Sequence, residues 1–492
     1  MILTSILRLT SMVIIIIVGT LAFLCFSSIQ QLQQATALVL QDSLLEFNQN
    51  KDKNDYDEDE NLVYTNIVTS TSSNSESPLL LQAGSNKINF DNVMNLTNNP
   101  RDSVYGQVDA SSENDVYIVW QDSVPGSTGS YRNYDIFFTK SSDAGTSFGR
   151  EINLSNNNGF SEHPQLATSG NNVYVVWADN SFSANREIFF ARSTDGGNTF
   201  GDPINLSNNL GDSYNQEIFA FGDDIYVVWL DKEEQEDPYG SENSHSSILI
   251  KSSVDGGATF SQTLNLSNSN NNANANSFPK VAAYNNHVYV IWNVEENIEQ
   301  SSSSEERRNS NNDTGLYFAK SSDRAASFGE SIRVNNPDQE LGEAQIAASG
   351  QDVYIVWGGS DLNKVSDLYF IKSTDNGDNF SGPISITDND NNNNNNLNPS
   401  NVEISVEKVG NNDNNVYIAW QSLISTAGQN NKEEILFKMS SDAGNTFGDT
   451  VNLSKNHDIS ECPSLTIYGG KVYVVWEDLS PGNHEILFTR SI

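Results

Sequence analysis

The sequence has almost no cysteine. Cys25 lies in an N-terminal apolar run and Cys462 stands alone far downstream. Two cysteines so placed make neither a disulfide framework nor a zinc-type spacing, so no metal and no cofactor is expected from the pattern. Basic residues are scarce as well: 26 Lys and Arg face 64 Asp and Glu, for a net charge of -38. The deficit is not confined to a tail. Residues 41–76 hold nine acids against two bases, a balance of -7, and residues 87–492 hold 55 against 23, a balance of -32. A surface this negative repels phosphate backbones, which argues against nucleic acid and leaves cations, basic partners or plain solubility as its use. Helical periodicity is also missing from residue 87 onward, which leaves an all-β reading.

The N-terminal apolar run is short for a membrane span, although flanking Thr and Ser could extend it. Arg8 precedes Met12–Phe26, "MVIIIIVGTLAFLCF", an uncharged run shorter than the ~20 residues that cross a bilayer. A basic start before a short apolar core reads as an export signal, cleaved near Ala35-Thr36-Ala37, or as an uncleaved anchor. Residues 1–37 are assigned to this segment. Residues 38–86, with "NKDKNDYDEDEN" and "TSTSSNSES", are too polar to build a core and read as a disordered tether. Everything after it is then expected outside the cytoplasm, secreted or held at the cell surface, with membrane contact only through the N-terminal segment.

What is abundant is one phrase. "VYVVWADN" at 173–180 returns as "IYVVWLD" and "VYVVWED", and each of the seven tryptophans closes a copy: Trp120, Trp177, Trp229, Trp292, Trp357, Trp420 and Trp476. A Tyr stands three residues before every Trp. The second repeat divides into four β-like pieces, at 164–170, 172–177, 187–193 and 202–207. A strand apolar on both faces must be covered on both, and radially arranged blades do this. The spacing therefore predicts an all-β, seven-bladed β-propeller of four-stranded blades over 87–492. The last repeat stops after its third strand, while "FDNVMNLT" (90–97) matches the fourth-strand phrase "FGREINLS" (148–155). Closure of the ring by an N-terminal strand that completes the last blade is the expectation, which would hide the sheet edges.

Between third and fourth strands a second phrase recurs, Ser-x-Asp-x-Gly-x-Thr/Ser-Phe, at 141–148, 193–200, 253–260, 321–328, 373–380 and 440–447. It resembles the Asp-box, or bacterial neuraminidase repeat, of sialidase-like β-propellers, and the resemblance spans nearly all of 87–492. It implies a structural role for Asp143, Asp195, Asp255, Asp323, Asp375 and Asp442. One aspartate per turn is too few ligands for calcium. Ala325 replaces the Gly of the fourth box and Asn379 the Thr of the fifth, so those two turns are expected to be less regular. Basic residues before the boxes (Lys140, Arg192, Lys251, Lys320, Lys372) are expected to pair with acids at the hairpins.

The box face has short turns. The opposite face carries insertions at 231–245, 268–277, 293–313 and 388–401 and is the place for recognition. There Asp122, Asp179, Asp231 and Asp478 each stand two residues after a Trp in neighbouring blades, an arc suited to a cation or a hydroxylated ligand. The alternative is that each caps the turn at its strand's end. Arg132 and Arg186 are further ligand candidates. The resemblance also implies what a sialidase needs: three arginines, a Tyr–Glu pair and an Asp. The early Arg-Ile-Pro phrase of those enzymes is absent, and Arg101, Arg132, Arg186, Arg307 and Arg308 occupy no repeated position. No catalytic residue is assigned. The expectation is a monomeric, non-catalytic binding or scaffold module for glycans or proteins. A sialidase-like glycoside hydrolase is the competing reading, and an envelope component the third.

Overall fold

A β-strand apolar on both faces needs a partner layer on each side, and every tryptophan strand here has one. The computed structural model describes residues 88–492 except 125–132, 183, 237–241, 268–273, 297–312, 337–339, 361–365, 388–397, 410–412 and 425–431. The expected signal and tether, and Arg132, Arg307 and Arg308, lie outside the described residues. Twenty-eight strands form seven four-stranded antiparallel sheets, the blades of a seven-bladed β-propeller. In blade two the inner strand is Ser161–Ser169, followed by Asn172–Asp179, Glu187–Ser193 and a two-residue outer strand, Ile204–Asn205. Blade seven comprises Ser460–Tyr468, Lys471–Asp478 and Glu485–Arg490, and its outer strand is Met94–Asn95, with Met94 paired to Phe488 and Asn95 to Leu487.

The Tyr-x-x-Trp phrase explains how blades adhere. Residues three apart on a strand point to opposite faces. The Tyr of one blade and the Trp of the next therefore share a cluster: Tyr117 with Trp177, Tyr174 with Trp229, Tyr226 with Trp292, Tyr289 with Trp357, Tyr354 with Trp420, Tyr417 with Trp476 and Tyr473 with Trp120. All seven indoles are at most 2% exposed. An aromatic side chain that buries roughly 150–250 Å² contributes on the order of 4–6 kcal/mol of transfer free energy, so the seams carry most of the ring's cohesion.

Inner strands are regular near the box face and irregular near the other. Each has a register shift in its first half, between Val104 and Gln107, Glu162 and Gln165, Tyr214 and Glu217, Ser277 and Lys280, Leu341 and Ala344, Ser400 and Glu403, and Glu461 and Ser464. Bulges turn one extra side chain per blade toward the channel, and so set the geometry of its mouth.

Candidate functional site

The four aspartates two residues after Trp do not form an open arc. Asp122, Asp179, Asp231 and Asp478 are 0–2% exposed. Asp179 Oδ2 accepts bonds from Asn157 (2.7 Å), Ser161 (2.7 Å) and the Trp177 indole (3.1 Å), and Oδ1 accepts the Ser181 N–H (2.8 Å). Asp478 repeats this with Asn456, Ser460, Trp476 and Ser480. Asp231 takes Asn209 and Ser213. Asp122 takes Asn99 and an ion pair with Arg101 at 2.9 Å; burial pushes its carboxyl up to about 6 against the pull of that arginine. Each carboxylate latches the loop that enters its blade to the strand end through at least one oxygen, and Asp122 does so through Oδ2 alone. The signal was in the sequence: Asn99, Asn157, Asn209 and Asn456 each stand four residues before a Ser that begins an inner strand. Blades four to six, with Val294, Gly359 and Ser422, have no such Asp.

On the opposite face the six repeated turns share one geometry. Ser141 Oγ donates to Asp143 Oδ1 (2.7 Å) and accepts the Gly145 N–H (2.9 Å), and Asp143 accepts the Ser147 N–H (2.8 Å) and hydroxyl (2.6 Å). These donors hold Asp143 near 2, and their counterparts hold Asp255, Asp323 and Asp375 near 2 as well; Asp195 and Asp442 are lowered too. The two divergent turns are not less regular. Ala325 keeps the left-handed φ of +63° and its N–H bond to Ser321, and Asn379 supplies from its amide the bonds that Thr supplies elsewhere. Space explains the alanine. A Cβ on Gly145, Gly197, Gly257, Gly377 or Gly444 would meet a Phe ring of the preceding blade at 2.6–2.7 Å. In front of Ala325 that position is Ile250, and the two share a cluster.

The basic residues before the turns mostly reach the next blade's turn and not acids of their own. Lys140 binds Gly196 O (2.7 Å), Arg192 binds Gly256 O (3.0 Å), Lys372 binds Ala443 O (3.1 Å) and Arg490 binds Thr146 Oγ1 (2.9 Å). Lys320 does pair with an acid, Asp378, again on the next blade. Lys251 sits one position earlier on its strand, therefore on the other face, and bonds backward to Leu206 O (2.7 Å).

All seven blades line a channel cavity of about 120 Å³, and the bulges contribute Tyr105, His163, Asn215, Phe278, Glu343, Asn401 and Cys462 to it. The Tyr105 and His163 rings touch at a tilt of 56°, with centroids 4.3 Å apart. Burial and the nearby Glu477 push the Tyr105 phenol up to about 12, and burial lowers His163. Deeper in, Lys280 pairs with Glu217 (2.9 Å) and Gln345 donates to Glu403 (2.8 Å). Burial raises Glu403 to about 8, although Lys280 pulls it down. Burial alone would lower Lys280; Glu217, Glu403 and Glu343 reverse that and hold it above its ordinary value. These residues escaped the sequence reading because residue type varies at the bulge from blade to blade.

A second cavity, of about 440 Å³, lies at the seam of blades two and three, lined by Asn180, Ala184, Asn185, Arg186, Leu210, Asp212 and Lys232. Arg186 is fully engaged: it makes two bonds to Asp212, one to Glu162, and stacks over Tyr214 at 4.1 Å. Beside the cleft Phe182 is 79% exposed and stacked on Phe189, and Leu210 is 95% exposed. Arg101 is held likewise, by Asp122, Glu151 and the Phe137 ring.

No family model and no curated protein matches the chain. Among solved structures it is similar to a polysaccharide lyase, an ulvan lyase, at 10% identity and a TM-score of 0.51, covering 79% of this chain and 92% of that one. A Dyadobacter fermentans protein of unknown function follows at 12% identity and TM-score 0.47, covering 82% and 99%. The Trypanosoma rangeli sialidase follows at 9% and 0.40, covering 79% and 55%. At these identities the likeness is one of fold alone, a β-propeller.

Proposed function

We propose that this chain is an exported Asp-box propeller that acts as a non-catalytic binding module, with a glycan seated in the cleft between blades two and three. The observation that carries this reading is an exposed Leu210 in a lining that also holds Asn180, Asn185, Asp212 and Lys232, with the exposed Phe182 on the same loop as Asn180 and Asn185. A sugar ring presents an apolar face and a polar edge, and such a cleft offers a partner to each. Hydrolysis is disfavoured by the state of the cations and of the phenol. Arg101 and Arg186 each satisfy two carboxylates, and Tyr105, with its proton held to about pH 12, is a poor nucleophile.

The test is a glycan array with the full chain, paired with a fluorogenic sialoside assay. Binding without turnover that drops at least tenfold in Phe182→Ala supports the proposal. Turnover lost on changing Arg101 or Arg186 would replace it with the hydrolase reading. No glycan binding would move the function to a protein partner.

A further inference from the structure

We propose that the seam between blades seven and one holds a divalent transition-metal cation, of the zinc or manganese class, on Glu461, Glu477 and His484. One ligand atom from each lies within 4.8 Å of the others. Glu461 and Glu477 stand directly opposite on adjacent strands, and His484 Nδ1 is 3.8 Å from Glu477 Oε2. Like charges directly opposite on a sheet repel, so this arrangement calls for a cation. Coordination at about 2.1 Å would need the donors to close to roughly 3.4 Å, a side-chain adjustment of about 1 Å. Two carboxylates and one imidazole suit zinc or manganese better than calcium, which prefers an all-oxygen shell.

The repeat supplies its own control. Glu162 in blade two occupies the place of Glu461, and Arg186, just before the third strand, occupies that of His484. There the carboxylates already hold a cation: the Arg186 guanidinium bridges Glu162 and Asp212. At the seven–one seam the permanently charged arginine is replaced by a metal-ligating histidine. A second acid, Glu477, stands where blade two has Ala178. Among the described residues neither Glu461 nor Glu477 pairs with a lysine or arginine. Glu477 is fixed for the task, since Oε1 accepts the Tyr105 N–H at 2.6 Å. Tyr105 and Cys462, from blades one and seven, line the adjoining cavity through which an ion would enter.

The experiment is equilibrium dialysis of the chelator-stripped full chain against Zn²⁺ at 0.15 M salt, with Ca²⁺ in parallel. Wild type should take up one Zn²⁺ per chain, and Zn²⁺ should raise its Tm. His484→Arg, which installs the blade-two arrangement and should fold at least as well without metal, should weaken uptake at least tenfold and abolish the Tm shift. Glu461→Gln/Glu477→Gln should do the same. Equal Zn²⁺ uptake in His484→Arg, or no stoichiometric uptake by wild type, would sink the proposal. Preference for Ca²⁺ over Zn²⁺ would overturn the assignment of metal class.

Discussion

The two faces of the propeller use the same donors to opposite ends. On the box face, Ser and Asp close six exposed turns of one geometry, each satisfied within its own eight residues. On the loop face a buried Asp is joined by an Asn from the entering loop in blades seven, one, two and three, and by a Ser as well in seven, two and three. Local satisfaction makes a turn insensitive to its surroundings, so it repeats. Long-range satisfaction ties a loop to a strand end, so it fixes whatever that loop carries. Blades four to six lack the latch, and two long insertions, 268–277 and 388–401, enter blades four and six. Both the Arg186 cleft and the Glu461–Glu477–His484 cluster sit on the latched arc, where a rigid support exists for a site.

The contrast can be broken most sharply at a latch. Asp179→Ala strands four donors at once, two of them fully buried, and should cost about 3–5 kcal/mol, read from denaturant midpoints. Asp143→Ala, on the exposed face, should shift the midpoint far less. A comparable cost for the two would erase the distinction. Next in size, Gly145→Ala forces a Cβ to 2.6 Å from Phe488 Cζ at a φ of +78° and should cost about 2–3 kcal/mol. Gly170→Ala, at +58° with nothing within 4 Å, should cost only about 1 kcal/mol. Third, Ile250→Phe should crowd Ala325 and cost about 1–3 kcal/mol, and Ala325→Gly in the same chain should recover most of it; additive effects in that cycle would disprove the compensation.

The faces also differ in their response to pH. The box aspartates are lowered from 3.8, so their contribution is complete above that value and fades as pH falls toward 2. Glu403 acts in the opposite sense. Its folded pKa of about 8 exceeds the 4.5 of the unfolded chain, so stability declines as pH rises between the two. Glu403→Gln should lessen that upper slope and leave the acid limb unchanged.

Seven blades were legible because Trp and Tyr recur at fixed offsets, and periodicity survives the loss of any one copy. The box turns were legible for the same reason. The latches were only half legible, since Asn-x-x-x-Ser and Trp-x-Asp each recur but are joined only in space. Arg186 stood out as an isolated arginine, yet nothing local marked Glu162 or Asp212 as its partners. The channel mouth was hidden altogether: bulges fix a position and leave the residue type free, so Tyr105, His163 and Cys462 form no pattern along the chain.

The seam between blades three and four departs from the others in its packing. Ile250 stands where most blades have Phe, Ala325 replaces Gly, and Arg324 reaches back to Asp224. A ring under load parts where its links are unlike the rest. If this ring is pulled, nicked or rearranged to begin at a new residue, that junction is where it should open with least loss, and the two arcs on either side should come away as intact pieces.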